Sequence, residues 1–152
     1  MRMTLRLWLR LGLVALAVPD TAIGGWALVA PASFYRDFPA PRHHWVSALP
    51  PYNEHLLTDF GGALLALALL LWIAAASLER RLVLAVLAAS LVQAAAHLAY
   101  HLATPAGLSA GDDVLSDLSL GFSVFVSASL LLVAWRRWER GSDALVLKEV
   151  TL

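Results

Sequence analysis

The sequence predicts an all-α fold: an integral membrane four-helix bundle. Three observations indicate this class, namely four long apolar runs, a mean hydropathy of +0.71, and a charged fraction of only 14%. An ordinary soluble domain carries nearly twice that share of charged residues. Each run approaches the length of about 20 apolar residues that a helix needs to cross the hydrocarbon core. We therefore expect residues 1–152 to form a single transmembrane domain whose first partner is the lipid bilayer.

Net charge and cysteine content exclude several classes of function. The formal net charge is zero and no basic tract is present, so nucleic acid is not an expected partner. The chain has no cysteine, which excludes thiol exchange, thiolate metal ligation and iron–sulfur clusters bound by its own side chains. Any chemistry of the protein's side chains must therefore come from oxygen and nitrogen groups.

The first span is predicted over roughly residues 7–30, and three arginines lie before it or in its first turns. A secretory signal peptide cleaved near residues 30–32 is the alternative interpretation. Pro19, Asp20 and Trp26 interrupt the signal-peptide pattern, and the apolar stretch continues to spanning length, which favours a span. Asp20 would lie near mid-membrane beside a proline, so we expect it to face the bundle interior.

The remaining elements are a loop, three spans and a tail. Residues 31–53 form a proline- and aromatic-rich loop that suits the headgroup layer, and we expect it to cap the bundle from outside. The other spans are predicted over roughly 54–76, 82–103 and 113–135. A short polar tail, residues 139–152, follows the last span and is too small to form a domain.

The distribution of basic residues predicts the orientation. Nine of the eleven arginines and lysines lie near the termini or between the second and third spans, whereas only Arg36 and Arg42 lie in the long loop. The positive-inside rule therefore predicts a multi-pass protein of the cell membrane with both termini in the cytoplasm.

Polar side chains spaced four residues apart occur on three of the predicted spans, and this spacing places them on one helical face. In chain order they are His55 with Asp59, the ladder Gln93, His97 and His101, and Asp113 with Asp117. All three sets fall in the outer half of the bundle, where such groups need partners, so we expect them to meet in one pocket. Gly62 shares the face of His55, and small residues permit close helix approach in lipid.

The favoured interpretation is a membrane protein that binds a metal or a redox cofactor in this pocket. Imidazole and carboxylate groups suit a first-row transition metal, and the candidate ligands are His55, Asp59, His97, His101, Asp113 and Asp117. One or two histidines facing across the second and third spans equally suit axial ligation of haem. The candidate cofactor-binding residues are therefore His55, His97, His101 and Gln93.

The same residues also allow chemistry without metal. A carboxyl group held among apolar walls can act as a general acid while a neighbouring histidine acts as the base. Asp59, His97 and Asp117 are the candidate catalytic residues for isomerising, cyclising or hydrolysing a hydrophobic substrate. Whether the protein is an enzyme stays open at this point.

Two interpretations without chemistry also stay open. Asn53, Ser109 and Asp112 can cap helices, and a His–Asp hydrogen bond between helices can be purely structural. Alternatively, Ser123 and Ser127 on the fourth span can serve assembly with a larger membrane complex, in which this chain is a non-catalytic subunit.

The first span ends near a Pro-x-x-Phe, Pro31 to Phe34, and the second opens with Asn53 and contains Gly61-Gly62. In these features the chain resembles the DoxX-like group of small four-helix bacterial membrane proteins. The resemblance implies a four-span fold and, because some members accompany quinone-linked oxidoreductases, a redox or subunit role. The His55/Asp59 and His97/His101 pairs are not part of that group's pattern, so the resemblance implies no role for them.

Overall fold

The computed structural model describes residues 3–150, with side chains described as far as residue 136. Its helices are α1 (Met3–Val29), α2 (Pro31–Asp37), α3 (Glu54–Ser77), α4 (Arg80–Ala103) and α5 (Ala110–Val150). No strand occurs in this part of the chain. The four long helices have the length and composition of membrane spans, α5 through its part Ala110–Arg136. The chain is therefore an all-α, multi-pass membrane protein.

The observed helices differ from the predicted spans mainly at the ends. Each long helix begins within about four residues of its predicted start, and α1, α3 and α4 end within about one residue of their predicted ends, whereas α5 continues past residue 135 to Val150. The short helix α2 is not among the predicted elements and occupies the start of the expected loop. Pro31 is its first residue, a position where the missing N–H of proline costs no hydrogen bond. Residues 139–150 of the predicted tail continue α5 as helix, whereas residues 151 and 152, and the side chains beyond residue 136, lie outside the described residues.

The long helices alternate in direction and pack as two pairs, α1 with α3 and α4 with α5, with fewer contacts between the pairs. Near the start of α1, Arg10 donates hydrogen bonds to the carbonyl oxygens of Ala75 (3.1 Å) and Ala76 (3.3 Å) at the end of α3. A guanidinium at this position also complements the dipole of α3. We call the end of the bundle that holds residues 29, 54, 103 and 110 the loop end, and the opposite end the termini end.

Two glycines bring α1 and α3 together near the loop end. A Cβ atom added to Gly24 would lie 3.0 Å from the Gly61 carbonyl oxygen, and one added to Gly61 would lie 2.6 Å from the Leu28 nitrogen. The same atom on Gly62 would meet nothing within 4 Å. The small residue that permits close approach is therefore Gly61 and not Gly62, and this fixes the rotation of α3 about its axis.

The hydrophobic core lies in the termini end of the bundle, where all four long helices contribute buried residues. These residues are Leu9, Leu13, Leu16, Ala17, Leu71, Ala74, Ala75, Leu78, Val83, Val86, Leu87 and Ala134. Here α5 also contacts α1, because Gly12 has no side chain and leaves room for the Leu130 side chain. Toward the loop end the two helix pairs enclose a cavity instead.

Candidate functional site

The cavity at the loop end has a volume of about 660 Å³, within the usual range for small-molecule sites. All four long helices, α2 and the connection between α2 and α3 contribute to its walls. The aromatic part of the lining consists of Phe34, Tyr35, Phe38, Trp45, Phe60, Tyr100 and Phe122. The principal polar groups are Asp20, Gln93, His97, His101, Ser116, Ser119 and Ser123. The site is therefore an apolar chamber with a small set of polar groups.

The roof of this chamber is the cap segment, residues 38–53, which packs through aromatic contacts on α2. The ring centroids of Phe34 and Phe38 are 4.8 Å apart, and those of Phe38 and Trp45 are 5.9 Å apart in an edge-on arrangement. Phe34 also contacts Phe60 of α3 at 6.3 Å. Aromatic pairs of this kind contribute about 0.5–1.5 kcal/mol each beyond the area they bury. The cap segment is thus anchored by its aromatic side chains, while residues 40–44 and 50–53 are exposed.

One carboxylate fastens the cap segment to α5. Asp112 Oδ1 accepts a hydrogen bond from Trp45 Nε1 at 2.9 Å and lies 2.6 Å from His43 Nδ1. Its other oxygen accepts from the Ser109 hydroxyl at 2.8 Å, while Ser109 in turn accepts from the Asp112 N–H. Ser109 therefore caps α5, and Asp112 instead holds the lid. A buried tryptophan N–H needs an acceptor, which is the sequence signal for this contact.

The polar wall of the cavity comes from α4. Gln93, His97 and His101 all line the cavity, as expected for residues four apart on one helical face. The two imidazole ring centroids are 4.9 Å apart, and His101 Nδ1 lies 3.4 Å from the Ser116 hydroxyl of α5. The wall thus offers one amide and two imidazoles to a bound molecule, at increasing distance from the middle of α4.

The carboxyl group of the cavity is Asp20 of α1, next to Pro19, which also lines it. Asp20 faces the bundle interior, as the sequence predicts for an acidic residue inside a span. Its side chain makes no hydrogen bond or ion pair within the part of the chain that the structure describes. The sequence provided this orientation but gave no reason to place Asp20 in the same cavity as the α4 ladder.

His55 and Asp59 lie outside the cavity. Their side chains contact each other at 3.3 Å between His55 Nε2 and Asp59 Oδ2, and they are 87% and 64% exposed. Because Gly61 packs against α1, the face of α3 that carries His55 and Asp59 points away from the cavity. The chamber is lined instead by apolar residues on the other side of α3, among them Leu57 and Phe60. The expected meeting of this pair with the α4 ladder does not occur.

Asp113 and Asp117 are partly buried on α5 but are not part of the cavity lining. α5 turns Ser116, Leu120 and Ser123 toward the cavity. Asp117 follows Ser116 directly and is therefore rotated by roughly 100° around the helix from it. The α5 pair thus shares neither a face nor a chamber with the imidazoles.

The six side chains predicted as metal ligands are therefore not gathered at one point. Within the described residues, no group of three or more His, Asp or Glu side chains could hold a metal ion. His97 and His101 lie on the same helical face with ring centroids 4.9 Å apart, so they cannot approach a haem iron from opposite sides. The geometry therefore gives no support to a metal site built from several of these side chains, or to a haem held by two histidines.

The serines proposed for assembly also have internal positions. Ser127 is fully buried within the bundle, and Ser123 lines the cavity and donates its hydroxyl hydrogen to the Ser119 carbonyl oxygen at 3.3 Å. Neither side chain therefore forms an outward-facing patch for a partner helix.

No protein-family model, curated relative or solved structure matches this chain. The resemblance to the DoxX-like group stays a prediction.

Proposed function

We propose that this protein binds a hydrophobic small molecule in the loop-end cavity, with Gln93, His97 and His101 hydrogen-bonding a polar group of that molecule. The observation that carries the proposal is the composition of the chamber: apolar and aromatic walls that converge on a few polar groups beneath a fastened lid. This is the usual construction of small-molecule sites.

The access route follows from the predicted orientation. With both termini in the cytoplasm, the cavity lies in the extracytoplasmic half of the bilayer, beneath the headgroup layer. A ligand dissolved in the outer leaflet then reaches the cavity without crossing water. The same location suits a molecule that combines a hydrocarbon body with one polar end.

An organic redox cofactor is one kind of molecule that this proposal allows, whereas a metal ion held by the protein's side chains is not. Carbonyl and hydroxyl groups of such a molecule need hydrogen-bonding partners, which an amide and two imidazoles supply. A protein-bound metal needs several ligand side chains at one point, and the described residues do not provide them.

A second candidate function is acid–base catalysis, because a carboxyl group and an imidazole line the same chamber. Here Asp20 replaces Asp59 and Asp117 as the acid, and His97 is the base. Moving a double bond within a hydrophobic substrate requires one group that removes a proton and another that supplies one, and no further reactant. Such an isomerase would lose turnover in both Asp20→Asn and His97→Gln while still binding substrate.

The binding proposal is tested by filling the cavity. Leu120 lines the cavity, whereas Leu118 on the same helix is 65% exposed and points away from it. We expect the purified wild type to bind the neutral probe 2-naphthylmethanol saturably in dodecyl maltoside micelles, after subtraction of binding to empty micelles. Leu120→Trp should weaken this binding at least tenfold, and Leu118→Trp should leave it within twofold.

The same variants give the result that would overturn the proposal. If the probe binds Leu120→Trp and Leu118→Trp as it binds the wild type, or if the wild type shows no saturable binding, the chamber is not a ligand site. Unfolding temperatures of both variants, measured in the same micelles, distinguish a filled cavity from a misfolded protein.

A further inference from the structure

Resting on the proposed function, we infer that the ligand carries a positive charge: it is a hydrophobic amine or ammonium compound whose cationic group lies at Asp20. The chamber combines one carboxyl group without a protein partner, several aromatic rings, and no lysine or arginine among the described residues that line it.

The charge of the lining is the first step. Among the described residues of the lining, Asp20 is the one with a formal charge at pH 7 when histidine is counted as neutral. A carboxyl group in a membrane interior is normally paired, because an uncompensated charge in a low-dielectric environment is costly. Since the described part of the chain supplies no cation here, a ligand ammonium group is the natural partner, and a ligand carboxylate would be repelled.

The aromatic walls are the second and independent step. Phe34, Tyr35 and Phe60 lie on the walls of the same chamber as Asp20. The face of an aromatic ring attracts a cation, and this attraction is strongest where the cation is desolvated. A chamber that holds both aromatic rings and a carboxylate favours alkylated ammonium groups in particular, because the alkyl groups can contact the rings while the charge is balanced.

Two sources supply such a group in a membrane: a free lipophilic amine and the choline headgroup of a lipid. They share the ammonium chemistry but differ in that the headgroup also carries a phosphate. Since the described lining offers no cationic side chain to a phosphate, the geometry points to the free amine.

The test compares three probes with one ring system and different charges: 2-naphthylmethylamine, 2-naphthylmethanol and 2-naphthoate. Binding of all three probes is measured at pH 8 in dodecyl maltoside. We expect the amine to bind the wild type about tenfold more tightly than the alcohol, which corresponds to about 1.4 kcal/mol, and the carboxylate to bind most weakly.

The variant Asp20→Asn should abolish the preference, so that it binds the amine and the alcohol with affinities within twofold of each other. Its unfolding temperature in the same micelles shows whether the variant is folded. Asp117→Asn, a carboxyl outside the chamber, should behave as the wild type. Equal affinity for amine and alcohol in the wild type, or a preference that persists in Asp20→Asn, would overturn the inference while leaving the binding site itself standing. If the alcohol does not bind at all, the binding proposal fails instead.

The two sources are separated by competition. A short-chain choline phospholipid that displaces the bound amine would assign the site to a headgroup and overturn the free-amine assignment. Displacement by dodecyltrimethylammonium, but not by the phospholipid, supports it.

Discussion

Exchanging Gly61 for alanine tests the packing that forms the cavity. The added Cβ would lie 2.6 Å from the Leu28 nitrogen and 2.8 Å from the Gly24 carbonyl oxygen. Ordinary contacts of a Cβ begin at 3.4 Å, so α1 and α3 must separate by roughly 0.8 Å or bend locally, and overpacking of this kind costs about 1–3 kcal/mol. Because both contacts are backbone atoms, no side-chain rotation can relieve them.

Gly62→Ala is the matched control, since its Cβ meets nothing within 4 Å. Both variants gain about 1 kcal/mol in helix propensity. We therefore expect Gly61→Ala to be less stable than Gly62→Ala by about 1–3 kcal/mol, and Gly62→Ala to be at least as stable as the wild type. The free energy of unfolding is measured by titrating SDS into maltoside micelles and following helix content by circular dichroism.

Equal stability of the two alanine variants would refute the proposed rotation of α3. In that case the face that carries His55 and Asp59 would be free to turn toward the cavity. A stability loss confined to Gly61→Ala, accompanied by weaker probe binding, would support the assignment of that glycine as the contact that sets the chamber's width.

Three further predictions concern the lid, a helix start and the core. Asp112→Ala removes the acceptor of three side-chain contacts, so residues 38–53 should be cleaved faster by trypsin and should exchange their amide hydrogens faster. The matched variant Asp113→Ala should leave both rates close to those of the wild type. The backbone N–H groups of the first turn of α4 bind the Glu79 carboxylate and lower its pKa. The stabilisation of the folded protein by this contact is therefore complete above the ordinary glutamate pKa and is lost as the pH falls through the lower pKa of the folded state. The unfolding temperature of Glu79→Gln should consequently change less between pH 7 and pH 3 than that of the wild type. The buried Ser127 hydroxyl has no hydrogen-bond partner among the described residues, so Ser127→Ala should unfold at an equal or higher SDS concentration, and a clear loss of stability would show an overlooked partner.

The sequence by itself determined the four spans and the inward face of α4. Hydropathy and the 3.6-residue period are local properties of one helix, so runs of sufficient length and the ladder Gln93, His97 and His101 can be recognised without knowing any neighbour. The interior position of Asp20 follows equally from a local argument, because a carboxyl group inside a span avoids lipid.

Only the tertiary structure decided which of the other polar groups share the chamber. His55 and Asp59 have the same spacing as the α4 ladder, but the rotation of a helix is set by its closest contact with a neighbour, and here that contact is Gly61 against α1. The role of Asp112 likewise depends on where the cap segment folds back onto α5. Spacing identifies a face, whereas the packing of backbone against backbone determines what that face meets.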